Sequence, residues 1–160
     1  MKLVDTAQFK NGKDVEAYLD GFFRARGWTI WQTTPYEERV LCMGDRHFMK
    51  DAMALKIEYK SGIQTRYTGN IFLETVSVDA QQKPGWVYTC KADFVFYAAL
   101  LNGEILIFTP NILRDCIEYL KAMFPQSQTR HRQNDGYNTH GVLVPLDYAE
   151  NCLAVRVIRI

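Results

Sequence analysis

Glu74 lies in the segment NIFLETVS, on the same strand face as Phe72, Val76 and Val78. A carboxylate on a buried apolar face takes up a proton unless it finds a partner. A metal ion is one solution, favoured by the presence of Asp51 at the head of DAMALKIEYK, and a salt bridge to an inward Lys or Arg is the other. Asp45 in MGDRH is a rival to Asp51, which is preferred because an alternating strand starts immediately after it. Glu16 falls at the edge of the apolar stripe of the first helix, where a surface carboxylate in a first turn is the plain alternative to a role in a site. The loop Thr129-Arg130-His131-Arg132-Gln133 is a compact basic patch suited to phosphate contacts, with Arg130 and Arg132 as its cations. Trp86 and Tyr88 sit in a loop that would border the site, where an aromatic ring stacks on a base. His47, His131 and His140 lack a close metal-binding spacing, and Cys42, Cys90, Cys116 and Cys152 lack the close pairs of a zinc site. The cysteines read as reduced core thiols.

These residues have to be held by a chain of 160 residues with 48% hydrophobic and 23% charged content, which suits one folded domain over residues 1–160. A net charge of +1 excludes nucleic-acid binding by bulk positive charge. There is no long apolar run of the kind that spans a membrane and no signal-peptide core, so a cytoplasmic protein is expected. Val15, Tyr18, Leu19, Phe22 and Phe23 repeat at helical spacing from Asp14, the expected N-cap, to Gly27. Residues 28–43 read as one strand broken at Pro35, and Met53, Leu55, Ile57 and Tyr59 alternate as a second. Ile71 to Val78 is a third strand, and the apolar run from Lys91 to Leu101 has the length of a buried helix. EILIF is a short interior strand, Thr109-Pro110 starts another helix, and two strands close the chain.

The order helix, three strands, helix, strand resembles the αβββαβ core of the restriction-endonuclease-like fold of the PD-(D/E)xK nucleases, an α/β mixed-sheet fold. In that family an Asp begins the second core strand, and a Glu two positions before a Lys sits in the third. Asp51 and Glu74 are matched to those positions. The stretch KPGWVYTCKADFVFYAALLNGEILIF, with its K-A-D, and the later GYNTHGVLVPL are also similar to nuclease-like proteins of phages and bacteria. The matched core covers about residues 13–108, and residues 109–160 form a C-terminal elaboration.

The resemblance implies a Mg²⁺-dependent endonuclease, with Mn²⁺ as a substitute, acting on DNA. A carboxylate from each of two neighbouring strands would converge on the ion, a hard cation that takes oxygen ligands and keeps waters for chemistry. Asp51 and Glu74 would be the metal ligands, Glu16 would join through a metal-bound water, and a homodimer would cut both strands. One departure stands out, because Val76 occupies the position of the family's Lys. Lys91, at the head of the next helix, is the candidate substitute, with a solvated first-turn lysine as the alternative, and Lys56 and Lys60 are weaker candidates. The missing lysine also supports a second reading, a nuclease-fold protein without catalysis that binds nucleic acid or a protein partner. An α/β enzyme acting on a small molecule is the weakest, since no Gly-rich phosphate loop or nucleophile elbow is present.

Overall fold

The computed structural model describes residues 9–129 and 136–160. Helix α1 (Gly12–Arg24) starts at Asn11, whose side chain accepts the Lys13 and Asp14 N–H groups. Asp14, the expected cap, sits one turn inside and its carboxylate accepts the Asn11 N–H in return. Strand β1 (Thr29–Gln32) is followed by helix α2 (Pro35–Arg39), capped by Thr34 and Glu37, so the single strand expected over residues 28–43 is instead a strand and a helical turn. Pro35 at the first helical position explains the change, because its fixed φ suits a helix start.

Strand β2 (Arg46–Lys50) went unread in the sequence, and β3 (Met53–Ser61) is the alternating segment. Helix α3 (Thr65–Thr68), strand β4 (Asn70–Val78), strand β5 (Lys83–Pro84) and helix α4 (Trp86–Thr89) follow. Strand β6 (Phe94–Ala99) replaces the buried helix expected over Lys91 to Leu101. Both faces of β6 are covered, so it reads as an uninterrupted apolar run, which periodicity alone does not separate from a buried helix. Then come β7 (Glu104–Phe108), α5 (Pro110–Met123), β8 (Gln126–Thr129), β9 (Thr139–Pro145), α6 (Leu146–Tyr148) and β10 (Arg156–Arg159).

The fold is mixed α/β with two sheets. The larger has the order β1-β2-β3-β6-β7-β10, antiparallel except where β3 pairs with β6. The smaller has the order β5-β4-β9-β8 and is antiparallel throughout. Helix α1 covers one face of the larger sheet, burying Val15, Leu19 and Phe23 against Phe48, Ile57, Tyr59 and Phe96. The other face packs Val95, Tyr97, Leu106 and Phe108 against Ile71, Leu73, Val142 and Val144 of the smaller sheet and Leu113, Ile117 and Leu120 of α5. Among the described residues, no helix is long and apolar enough to cross a membrane.

The turn into β2 is tightly constrained. Gly44 has φ +92, and a Cβ there would lie 2.6 Å from the Ile57 carbonyl oxygen. Its own carbonyl accepts the Thr33 hydroxyl at 2.7 Å. Gly44→Ala is therefore expected to cost about 2 to 3 kcal/mol through backbone strain and displacement of β3. Urea unfolding checks this, with a midpoint shift well beyond that of an Ala substitution at the open Gly12 as the expected outcome.

Candidate active site

Within β3 the side chains alternate between faces, so Ile57 and Tyr59 enter the core under α1 while Lys56, Glu58 and Lys60 share the other face. The Lys60 ammonium lies 2.6 Å from Glu58 Oε1. Asp45, immediately before β2, is pinned to the same stretch of β3. Its N–H donates to the Ile57 carbonyl at 2.8 Å, and its Oδ2 accepts the Tyr59 N–H at 2.6 Å. Across the gap between the sheets, Glu74 of β4 adds a third carboxylate to the surroundings of Lys60.

Arg46, the next residue after Asp45, turns to the α1 side. Its side chain is 6% exposed and binds both Asp20, at 3.1 Å, and Glu16, at 2.9 Å. The Tyr59 hydroxyl donates to Asp20 at 3.1 Å. This network satisfies the carboxylates of α1 and fixes β2 and β3 beneath it.

Electrostatics follow from that placement. Burial pushes the Asp45 carboxyl up to about 7, and the charge of Glu58 adds to the rise while the Tyr59 N–H and Lys60 oppose it. Burial also raises Glu74, against the pull of Lys60 and of the Trp86 N–H. For Lys60, burial disfavours the charge most strongly, yet Glu58, Asp45 and Glu74 together outweigh it and hold the ammonium above its ordinary value. Three carboxylates around one ammonium leave a negative excess in a half-buried place. A second cation would relieve it.

The residues singled out from the sequence fare differently. Asp51 occupies the exposed β2–β3 turn with φ +53. Seven positions, first the turn and then β3, separate it from Glu58, up to about 23 Å at strand rise, so it is not brought together with Glu74. Asp45, its rival, shares the surroundings of Lys60 with Glu74. Glu74 stands in the smaller sheet beside a bulge between Glu74 and Val76, so β4 is not the third strand of the larger sheet, and Val76, paired with His140, does not hold the lysine position of that strand. Glu16 reaches the neighbourhood through Arg46 and adds to the field on Asp45. Lys91 is exposed and precedes a strand rather than opening a helix. Trp86 is 8% exposed, with Lys60 Nζ 5.5 Å from its ring centroid, so it supports the site from below and offers no free face to a base. Arg130 and Arg132 lie outside the described residues.

Glu58 escaped the sequence reading, and Lys60 entered it only as a weaker substitute than Lys91 for the missing lysine. The signal was present in Glu58-Tyr59-Lys60, and reading Arg46–Lys50 as a strand would have made Met53–Ser61 the third. Among the described residues, no three His, Cys, Asp or Glu side chains group tightly enough to enclose a metal by themselves. Mg²⁺ needs less, since one or two carboxylates with waters and a substrate phosphate complete its shell. Asp45 and Glu58 are a donor set of that kind: hard oxygens, partly dehydrated and in need of a cation.

Comparison of the chain with family models, curated proteins and solved structures found no match.

An acid whose folded pKa is raised stabilises the fold least where it is ionised. Asp45 is expected to cost stability increasingly as pH climbs from its unfolded value near 4 to about 7, and fully above that. Asp45→Asn, which keeps an acceptor for the Tyr59 N–H, should therefore gain on the order of 2 kcal/mol over wild type at pH 8 without divalent ions. The gain should shrink at pH 5. Urea unfolding at the two pH values checks it, and added Mg²⁺ should stabilise wild type but not the variant.

Proposed function

We propose that this chain is a metal-dependent nuclease that hydrolyses DNA phosphodiester bonds, and that its site is built on Asp45, Glu58 and Lys60. One observation carries the reading. An Asp at the start of the second strand of the larger sheet is hydrogen-bonded to the third strand beside a Glu-x-Lys, with the ammonium 2.6 Å from the Glu. That arrangement is the pattern expected of a PD-(D/E)xK nuclease, reached with different residues from the pair Asp51 and Glu74. The run of α1 and three antiparallel strands, with a parallel partner for the third, also supports a restriction-endonuclease-like core. The alternative of an inactive binder rested on Val76 and on the near-neutral net charge, and it loses the first of these grounds once Lys60 fills the role.

Asp45 and Glu58 would hold Mg²⁺ or Mn²⁺. When bound, the ion supplies positive charge to the scissile phosphate and lowers the pKa of a coordinated water. The chain's own groups do the rest. Lys60, kept protonated by its three carboxylate neighbours, stands ready to donate hydrogen bonds to the attacking water or to a phosphate oxygen as charge develops there. Glu58 fixes the ammonium by a contact of 2.6 Å, and Glu74 biases it from the facing sheet, so its position is set before substrate arrives. Water attacks phosphorus, and the bond to one ester oxygen breaks with that oxygen protonated as an alcohol. Arg46 stays with Asp20 and Glu16 and holds the floor of the site.

Incubation with supercoiled, linear, single-stranded and branched DNA in Mg²⁺ or Mn²⁺ tests this reading. Glu58→Gln and Lys60→Ala should each lower cleavage by about a hundredfold or more, the scale of a lost transition-state contact. Asp51→Asn should cut like wild type. Wild-type protein that cuts none of these substrates in either metal, or cutting that survives Glu58→Gln, defeats the proposal.

A further inference from the structure

A groove of about 280 Å³ opens on the face of the larger sheet that carries Glu58, away from α1. Its floor is a row across three strands. Trp31 of β1 is paired with His47 of β2, and His47 with Lys56 of β3. Trp31 is 43% exposed, and its ring stacks on the His47 imidazole at 5.5 Å and 18°. One face of the indole is thus braced by the imidazole while much of the ring remains open. Met43 and Met49 add soft apolar walls.

Charge in the groove is nearly balanced. Lys56 lies 3.8 Å from Glu37, which also contacts His47 at 3.1 Å, and Asp93 offsets Lys91 while its carboxylate accepts the Lys56 N–H. A balanced groove with a braced aromatic floor suits a flat, uncharged group better than a phosphate. A nucleobase is that group, and base stacking on aromatic rings tolerates any sequence.

The position is what ties it to the site. Lys56 and Glu58 are one two-residue repeat apart on the same face of β3, and Trp31 is two strand spacings from Lys56. Together these place Trp31 about 12 Å from Glu58, roughly the reach of one or two nucleotides. We propose that the groove takes an unpaired base of the substrate strand, stacked on Trp31, next to the phosphate positioned at Asp45, Glu58 and Lys60. The inference rests on the nuclease reading and narrows it to single-stranded, flapped or branched DNA, since a base within a duplex offers no free face.

Fluorescence anisotropy with labelled single-stranded, flapped and blunt duplex oligonucleotides, without divalent ions, tests the groove independently of cleavage. Trp31→Ala should weaken binding of the single-stranded and flapped probes about tenfold or more, by loss of one stacked base. Trp31→Phe should restore most of it, and blunt duplex binding should change little. In cleavage assays the loss should appear in KM with kcat kept. An unaltered melting temperature for both variants excludes misfolding as the cause. Equal binding of single strands by Trp31→Ala and wild type overturns the proposal, as does equal loss on duplex and single strands or no binding of any probe. Binding that depends on Trp31 in a protein that never cuts upholds the groove and overturns the nuclease reading instead.

Discussion

The 2.6 Å bond from the Tyr59 N–H to the Asp45 carboxylate is the contact around which the site is organised. It uses a backbone donor of the central strand to fix a side chain that precedes the second strand, so Asp45 keeps its position regardless of its rotamer preferences. The remaining contacts hold that bond in place. Thr33 N–H reaches the Asp45 carbonyl at 3.1 Å from the other side, and Gly44 permits the close passage of the chain over Ile57. A residue with a Cβ at Gly44, or a shift of register between β2 and β3, would move the carboxylate away from Glu58. Register here is fixed by Phe48 and Ile57, both fully buried on the α1 face.

Two charge clusters lie on opposite faces of the same strands and serve opposite ends. On the α1 face, Arg46 with Asp20 and Glu16 is closed: each charge has a partner and the guanidinium is almost wholly covered. On the other face, three carboxylates share one lysine and the balance stays negative. A closed cluster contributes rigidity, while an open one costs stability until a cation arrives, which is the usual bargain of a functional site. Tyr59 links the two, its N–H on Asp45 and its hydroxyl on Asp20.

Much of the architecture was legible in the residues, and the errors have physical causes. α1, β3, β4, β7 and α5 follow from periodicity and from Pro110 at a helix start. β6 was misread because an interior strand covered on both sides loses its alternation. β2 was missed because Arg46 is inward-facing and charged, which disguises the pattern of a half-buried strand, and its pairing with Asp20 and Glu16 depends on residues far away in sequence. That single omission moved the strand count by one, so the Asp and Glu positions were matched to Asp51 and Glu74 rather than to Asp45 and Glu58, the pair of the proposed site. Glu74 was expected on a buried face with Phe72, Val76 and Val78, whereas Ile71, Leu73 and Thr75 are the buried residues of β4; Glu74 itself is half-buried, and its neighbour is Lys60, on a strand of the other sheet.

The two sheets also set an order in time. Asp45, Glu58 and Lys60 precede Glu74 in the chain and sit at adjoining strands, whereas Glu74 is carried by β4, whose long antiparallel partner is β9. The bond from Thr75 to His140 spans 65 positions of chain. On a ribosome, the first three groups emerge and can pair locally well before the strand that fixes the fourth exists. Until β9 docks, Lys60 lacks the facing carboxylate and the cover that shape its charge, so the nascent chain carries an incomplete centre. Completion of the smaller sheet is then felt at the site later than the pairing of β2 with β3.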